Sequence, residues 1–234
     1  MEASAFKFDA AQLAAEHSGK NVILVGNGET GMAYQPDSKS VFTGPEKTDA
    51  KLWVVNNGFM RLPTASLVWS MDDLKGPAWN AHRQRNLWFE ALRKAEIPVM
   101  TAQAYEEYPA TVTFPIQQVA EALGLAGYYA ETIDYALAWG LYAGIASLEI
   151  HGCDYWEMDR RAQRACAEFW LGWYASRRIP LRINEGSKLM TVPYCDQVNR
   201  HVPGFYGYLT NPLVDPRGAQ ARDEYMAEEA ASAG

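Results

Sequence analysis

Short apolar runs alternate with segments of helical periodicity along the first 184 residues of the chain. Each run is followed by glycine or small polar residues, which is typical of a buried strand that ends in a turn. We predict strands at residues 21–26, 41–43, 52–57, 66–71, 98–101, 147–152 and 180–184. Between several of them, apolar side chains recur at the i, i+3, i+4 and i+7 spacing of one helix face. This spacing predicts helices at residues 78–95, 116–123, 132–142 and 159–177.

The alternation of strands and helices predicts the fold class. Crossover connections of this kind favour a mostly parallel sheet flanked by helices. We therefore predict one α/β domain with a mostly parallel sheet over residues 1–184. Residues 185–217 have no periodicity but are rich in aromatic residues, which predicts an irregular lid over a site in the same domain. Residues 218–234 are rich in Ala and Glu and predict a flexible or helical tail.

Charge and composition narrow the class of protein. The 234 residues carry a formal net charge of −7, which disfavours a wholly basic nucleic-acid binder but leaves a local groove for DNA open. No apolar run approaches the roughly 20 residues that span a bilayer, and the first 20 residues do not resemble a secretory signal. We therefore expect a cytoplasmic protein. The three cysteines are too few and too scattered for a disulfide framework.

A glycine-rich turn follows the first predicted strand, where residues 26–31 read G-N-G-E-T-G. Glycines in such a turn let backbone amides approach a phosphate, as in dinucleotide-binding folds. Residues 32–40 show no helical periodicity, and Asp49 precedes a predicted strand instead of ending one. Both features disfavour binding of NAD or FAD. A phosphate-binding turn and a turn with only a structural role both remain open.

Short polar residues follow four of the predicted strands. In parallel open sheets, ligands bind outside the carboxyl ends of the strands. Taken singly, such residues are mostly turns or helix caps. Taken together, they predict one cleft that hydrogen-bonds a hydroxylated and phosphorylated ligand. The four strand ends carry Gly26-Asn27-Gly28, Asn56-Asn57, Asp72-Asp73 and Gly152-Cys153-Asp154-Tyr155.

The order of these motifs resembles that of a known group of proteins. A strand leads into G-N-G, a second strand ends in Asn and a third is followed by Asp; Glu131-Thr132 then opens a helix, and residues 149–155 read E-I-H-G-C-D-Y. This order is similar to that of the GNG-type bacterial sialyltransferases and the related MptE-like family of 6-hydroxymethylpterin diphosphokinases. The resemblance covers residues 21–160 and implies a Rossmann-like sheet that binds a nucleotide. Glu29-Thr30 stands where those families usually have Pro-Ser.

The resemblance also implies roles for individual residues. The glycine turn would lie against phosphate, the asparagines would contact ribose or the donor sugar, and the residues after the late strand would form the pocket floor. Thr132 would lie near phosphate or base. The implied binding residues are Gly26, Asn27, Gly28, Thr30, Gly31, Asn56, Asn57, Thr132, Gly152 and Tyr155.

Several side chains are candidates for the chemistry itself. The resemblance implies a histidine base from the late part of the chain, and His201 is the late histidine in this sequence. Asp72 is an alternative base, and together Asp72 and Asp73 are candidate ligands for Mg²⁺ or Mn²⁺. Asp154 is a candidate for positioning donor or acceptor. We expect His17 to be solvent-exposed and His151 to be a packing residue.

Three functional hypotheses follow. The first is a glycosyltransferase that moves a sugar from a nucleotide-sugar to a hydroxyl group of a glycan, a small molecule or a modified base in DNA. The second is an MptE-like, Mg²⁺-dependent diphosphokinase that uses ATP. The third is a nucleotide-binding protein without catalytic activity.

Overall fold

A computed structural model describes residues 6–35, 49–75, 83–125, 127–155, 161–184 and 186–190. The chain divides into two units, Met1–Leu189 and Met190–Gly234, and the fold described here belongs to the first. The strand predicted at residues 41–43 and the start of the helix predicted at residue 78 lie outside the described residues. So do residues 191–234, which include the rest of the predicted lid and the predicted tail.

Within the described residues, a parallel sheet of seven strands forms the centre of the fold. The strands are β1 (Asn21–Val25), β2 (Lys51–Val55), β3 (Leu67–Trp69), β4 (Val99–Thr101), β5 (Thr111–Thr113), β6 (Ser147–His151) and β7 (Leu181–Ile183). Their order across the sheet is β5-β4-β3-β2-β1-β6-β7, and every neighbouring pair is parallel. The predicted α/β, Rossmann-like fold class is confirmed.

Helices connect the strands and cover the sheet. They are α1 (Ala10–His17), α2 (Glu29–Met32), α3 (Gly58–Arg61), α4 (Arg83–Arg93), α5 (Ile116–Leu123), α6 (Thr132–Ala143) and α7 (Arg161–Ser176). Helices α5 and α6 both end at a glycine in the left-handed conformation, Gly124 with φ 68° and Gly144 with φ 72°. None of the helices in the described residues has the length and apolar character needed to cross a bilayer.

Two apolar cores lie on opposite faces of the sheet because successive side chains of a strand point to opposite sides. In β1, Val22 and Leu24 join the core that contains residues of α1, α5, α6 and α7. Ile23 and Val25 join the second core, which contains residues of α3 and α4. The central strands are therefore buried on both faces, which explains why they are continuous apolar runs in the sequence.

His17 is buried, and the expectation that it is solvent-exposed is wrong. It is 1% exposed, its ring centroid lies 5.6 Å from that of Trp53 and 5.4 Å from that of Trp139, and its Nδ1 lies 2.8 Å from the carbonyl oxygen of Leu13. The i, i+4 spacing of Leu13 and His17 puts both residues on the inner face of α1. Burial lowers the pKa of His17, because the charged imidazolium is disfavoured away from water.

This burial predicts a loss of stability in mild acid. Because the pKa of His17 is lower in the folded state, the unfolded state binds more protons as the pH falls below the ordinary value of 6.5. The contribution of neutral His17 to the free energy of unfolding is therefore complete above that pH. It is lost as the pH drops through the folded pKa. The variant His17→Phe keeps an aromatic ring and cannot be protonated. We expect the free energy of unfolding of the wild type to fall relative to that of the variant between pH 7.5 and 5, by at most about 1.4 kcal/mol per pH unit. Parallel profiles in urea unfolding would contradict this account.

Candidate functional site

The candidate site lies where the chain reverses its direction across the sheet. From β1 the chain adds β2, β3, β4 and β5 on one side, and then returns to add β6 and β7 on the other. Connections on the two sides of such a switch point diverge and leave a crevice at the carboxyl ends of the central strands. Here those strands are β1 and β6, whose last residues Val25 and His151 pair with each other.

A cavity of about 730 Å³ opens at this crevice. Its size lies in the range of small-molecule and cofactor sites. The residues that follow β1, β2, β3 and β6 all contribute to it, and the first residues of α6 and α7 complete the described wall. The described lining residues are Asn27, Gly28, Glu29, Val55, Asn56, Asp72, Ala130, Glu131, Thr132, Ile133, Gly152, Cys153, Asp154, Tyr155 and Gln163.

The cavity brings together a large part of the predicted site. The predicted residues in its wall are Asn27, Gly28, Asn56, Asp72, Thr132, Gly152, Asp154 and Tyr155. Gly26, Thr30 and Gly31 are not among the described lining residues. Neither are Asn57, which is exposed at the start of α3, and Asp73, which is exposed and accepts a hydrogen bond from the backbone N–H of Lys75. His201 lies outside the described residues.

The glycines of the turn pack against the loop after β6. The backbone N–H of Gly26 donates to His151 O and that of Gly28 to Gly152 O, both at 2.8 Å. A Cβ atom on Gly31 would lie 2.8 Å from the Cα of Gly152, and one on Gly152 would lie 2.7 Å from the Cα of Gly31. Gly152 also has φ +69°, a conformation that favours glycine. Because glycine has no side chain, the backbones of the two loops can come into contact at this junction.

Asp154 fixes the same junction through its carboxylate. Its Oδ2 accepts a hydrogen bond of 2.8 Å from the backbone N–H of Thr30, and its Oδ1 accepts one from the Thr30 hydroxyl. The Thr30 Oγ1 in turn accepts a hydrogen bond of 2.7 Å from the backbone N–H of Gly152. Asp154 is only 5% exposed, so these hydrogen bonds compensate the burial of its charge. The first turn of α2 thus holds a carboxylate of the chain itself, in the kind of position where such turns hold a phosphate.

The wall of the cavity is rich in hydrogen-bond acceptors. Glu29, Asp72, Glu131 and Asp154 line it, whereas no Lys or Arg is found among its described lining residues. The hydroxyl of Tyr155 donates to the Glu131 carboxylate. Burial, together with the nearby Cys153 and Glu131, raises the pKa of Tyr155, which therefore stays protonated and able to donate.

A buried carboxylate anchors the backbone of part of the cavity wall. Asp134 is fully buried in the first turn of α6, and its Oδ2 accepts hydrogen bonds from the backbone N–H groups of Ala130 at 2.7 Å and Glu131 at 3.0 Å. Desolvation raises the pKa of Asp134 to about 7, although the two N–H groups oppose this shift. Asp134 therefore fixes the backbone of the lining residues just before α6.

Sequence analysis placed Cys153 in the predicted cleft but assigned no binding role to three other lining residues with polar side chains, Glu29, Glu131 and Gln163. Glu131 precedes α6 and Gln163 lies in the first turn of α7, so both reach the site from helices instead of strand ends. The capping pattern of Glu131 followed three residues later by Asp134 was a usable signal for a helix start, but not for a site. In the described part of the chain, no three His, Cys, Asp or Glu side chains converge as metal ligands.

Two comparisons with known proteins do not assign this chain to a family. No protein-family model matches the chain, and no curated protein matches it significantly.

The glycine junction predicts a sharp difference between two glycine-to-alanine variants. In Gly31→Ala the new Cβ would meet the backbone of Gly26 and Gly152, so we expect a loss of about 1–3 kcal/mol in the free energy of unfolding. The control is Gly172→Ala, on an exposed part of α7 where a Cβ has no neighbour within 4 Å. Alanine favours a helix over glycine there by about 0.5–1 kcal/mol. Urea unfolding measures both changes, and equal stability of the two variants would contradict the packing role of Gly31.

Proposed function

We propose that the protein is a glycosyltransferase that uses a nucleotide-sugar donor and a hydroxyl acceptor. The observation that carries the proposal is the cavity at the switch point, with polar residues from four strand ends in its wall. Nucleotides bind at this place in open parallel sheets. The order of the strand-end motifs, with its resemblance to the GNG-type sialyltransferases, supports the same class of reaction.

The proposed reaction forms one bond and breaks another at the anomeric carbon of the sugar. The acceptor oxygen bonds to that carbon, the bond to the donor phosphate oxygen breaks, and the nucleotide leaves with the electron pair. A base takes the acceptor proton. Asp72 is in the cavity wall and is one candidate base; His201 is the candidate that the resemblance implies. Asp154 is a positioning residue in this scheme, because both of its oxygens hold Thr30.

A second candidate, the MptE-like diphosphokinase, is favoured by the acidic wall. A triphosphate beside Glu29, Asp72 and Glu131 would need a cation between the charges. The described residues do not fit a preformed Mg²⁺ or Mn²⁺ site well, because Asp73 points its carboxylate to the Lys75 amide and no three ligands converge. We therefore keep glycosyl transfer as the main proposal and make metal dependence an outcome of the test.

The neighbours Asn56 and Asn57 provide a matched test of the cavity as the donor site. Asn56 lines the cavity with φ 50°, so Asn56→Gly removes the side chain and keeps this left-handed backbone accessible. Asn57 is exposed and does not line it. We expect Asn56→Gly to weaken donor binding at least about tenfold, or about 1.4 kcal/mol, and Asn57→Gly to leave it unchanged. Isothermal titration with UDP-, GDP- and CMP-sugars and ATP measures this. Binding unaffected by Asn56→Gly would place the donor elsewhere.

A second experiment separates the two candidate bases and the two reactions. Loss of a general base lowers the transfer rate by roughly 10²–10⁴-fold while the donor still binds. We expect His201→Ala to show this pattern without sensitivity to EDTA. If Asp72→Ala shows it instead, the base is Asp72. Activity that EDTA abolishes and that survives His201→Ala would favour the diphosphokinase. Donor binding with neither activity would indicate a binding protein.

A further inference from the structure

Asp134, in the first turn of α6, is a buried carboxylate that the proposed reaction does not use. It is 0% exposed, and its Oδ2 accepts hydrogen bonds from the backbone N–H groups of Ala130 and Glu131. Its Oδ1 has no hydrogen-bond partner within the described part of the chain. An ionised carboxylate in such surroundings is costly, because water no longer solvates its charge.

The groups that face Asp134 do not neutralise this charge. Among the titratable side chains that interact with it in the described residues, none is a cation. Burial raises the pKa of the phenols and thiols among them, which therefore stay neutral near pH 7, whereas Glu131 adds a like charge. These groups are Tyr129 and Glu131 before α6, Tyr135 on α6, Cys153 and Tyr155 after β6, and Cys166 on α7.

The wall segment, residues 127–131, is the part of the chain just before α6. Its residues Ala130 and Glu131 line the cavity, and residues 127, 128 and 130 are exposed. Exposed segments can open locally while the rest of a protein stays folded. Opening here would separate the two N–H groups from Asp134 and let water reach its carboxylate. Water would also reach the hydroxyl of Tyr129, a buried donor with no acceptor among the described residues.

We propose that the wall segment is a gate of the cavity that is controlled by one proton, which keeps the segment closed when Asp134 binds it. The proposal does not depend on the identity of the ligand. The pKa of Asp134 is about 7 in the closed state and returns towards the ordinary value of 3.8 when water reaches the carboxylate. The closed state therefore binds more protons between these two values, so opening becomes more favourable as the pH rises towards 7 and levels off above it.

Hydrogen exchange of the Ala130 and Glu131 amides measures this opening in the full chain without any ligand. After correction for the intrinsic exchange rate, we expect the opening equilibrium constant to rise at least about tenfold from about pH 5 to 7 and to level off above about pH 8. The amides of β1, in the centre of the sheet, report global unfolding and should exchange more slowly. An opening constant that stays the same from pH 5 to 7 would overturn the proposal. Because no ligand is present, this outcome leaves the proposed function untouched.

A matched pair of variants assigns the effect to Asp134. Asp134→Asn keeps an oxygen for the two N–H groups and cannot ionise, so the opening constant should no longer depend on pH in this range. The control is Asp9→Asn, because Asp9 is exposed and its Oδ1 accepts the N–H groups of Ala11 and Gln12 at the start of α1. This variant should keep the profile of the wild type. A profile that persists in Asp134→Asn would show that another group controls the gate and would refute the proposal.

A measurement on the wild type covers the case in which Asp134→Asn does not fold. The carboxyl carbon of Asp134, observed by carbon-13 NMR, should titrate near neutral pH, at the same pH at which the exchange profile levels off. A carboxyl carbon that titrates near the ordinary value of 3.8 would overturn the proposal.

Discussion

The contact between the loop after β1 and the loop after β6 is the constraint on which the site depends. Gly26 and Gly28 donate hydrogen bonds across it, and Thr30 is held by the buried carboxylate of Asp154. These interactions fix β6 beside β1 at the carboxyl edge of the sheet. The cavity can form at that edge because the neighbouring connections diverge there, towards β2 on one side and β7 on the other.

In this contact the glycine motif has a different role from the one it has in dinucleotide-binding folds. In a dinucleotide fold, glycines bring backbone amides to an external phosphate. Here the amides of Gly28 and Thr30 donate to groups of the chain, so the motif is used for internal packing. Side chains from other strand ends and helices, such as Asn56 and Glu131, line the cavity beside it. The spacing of the motif thus indicates the edge of the sheet where the cavity opens, but not the partners of these two amides.

The sequence was sufficient for the fold class and only partly sufficient for the site. Central strands were predictable because burial on both faces makes them apolar runs; β5 was not, because Thr111 and Thr113 flank a single valine. His17 was misjudged because a titratable residue on an apolar helix face gives no sign of its burial. Glu131 and Gln163 reach the cavity only through the three-dimensional course of α6 and α7, and no local pattern specifies that course.

The glycine junction also restricts how this chain can evolve. Because a Cβ on Gly31 would meet Gly152 and a Cβ on Gly152 would meet Gly31, neither position can accept a side chain while the other backbone keeps its place. A Cβ at either position therefore displaces the loop that carries the other glycine, and with it the residues after β1 and β6 that line the cavity.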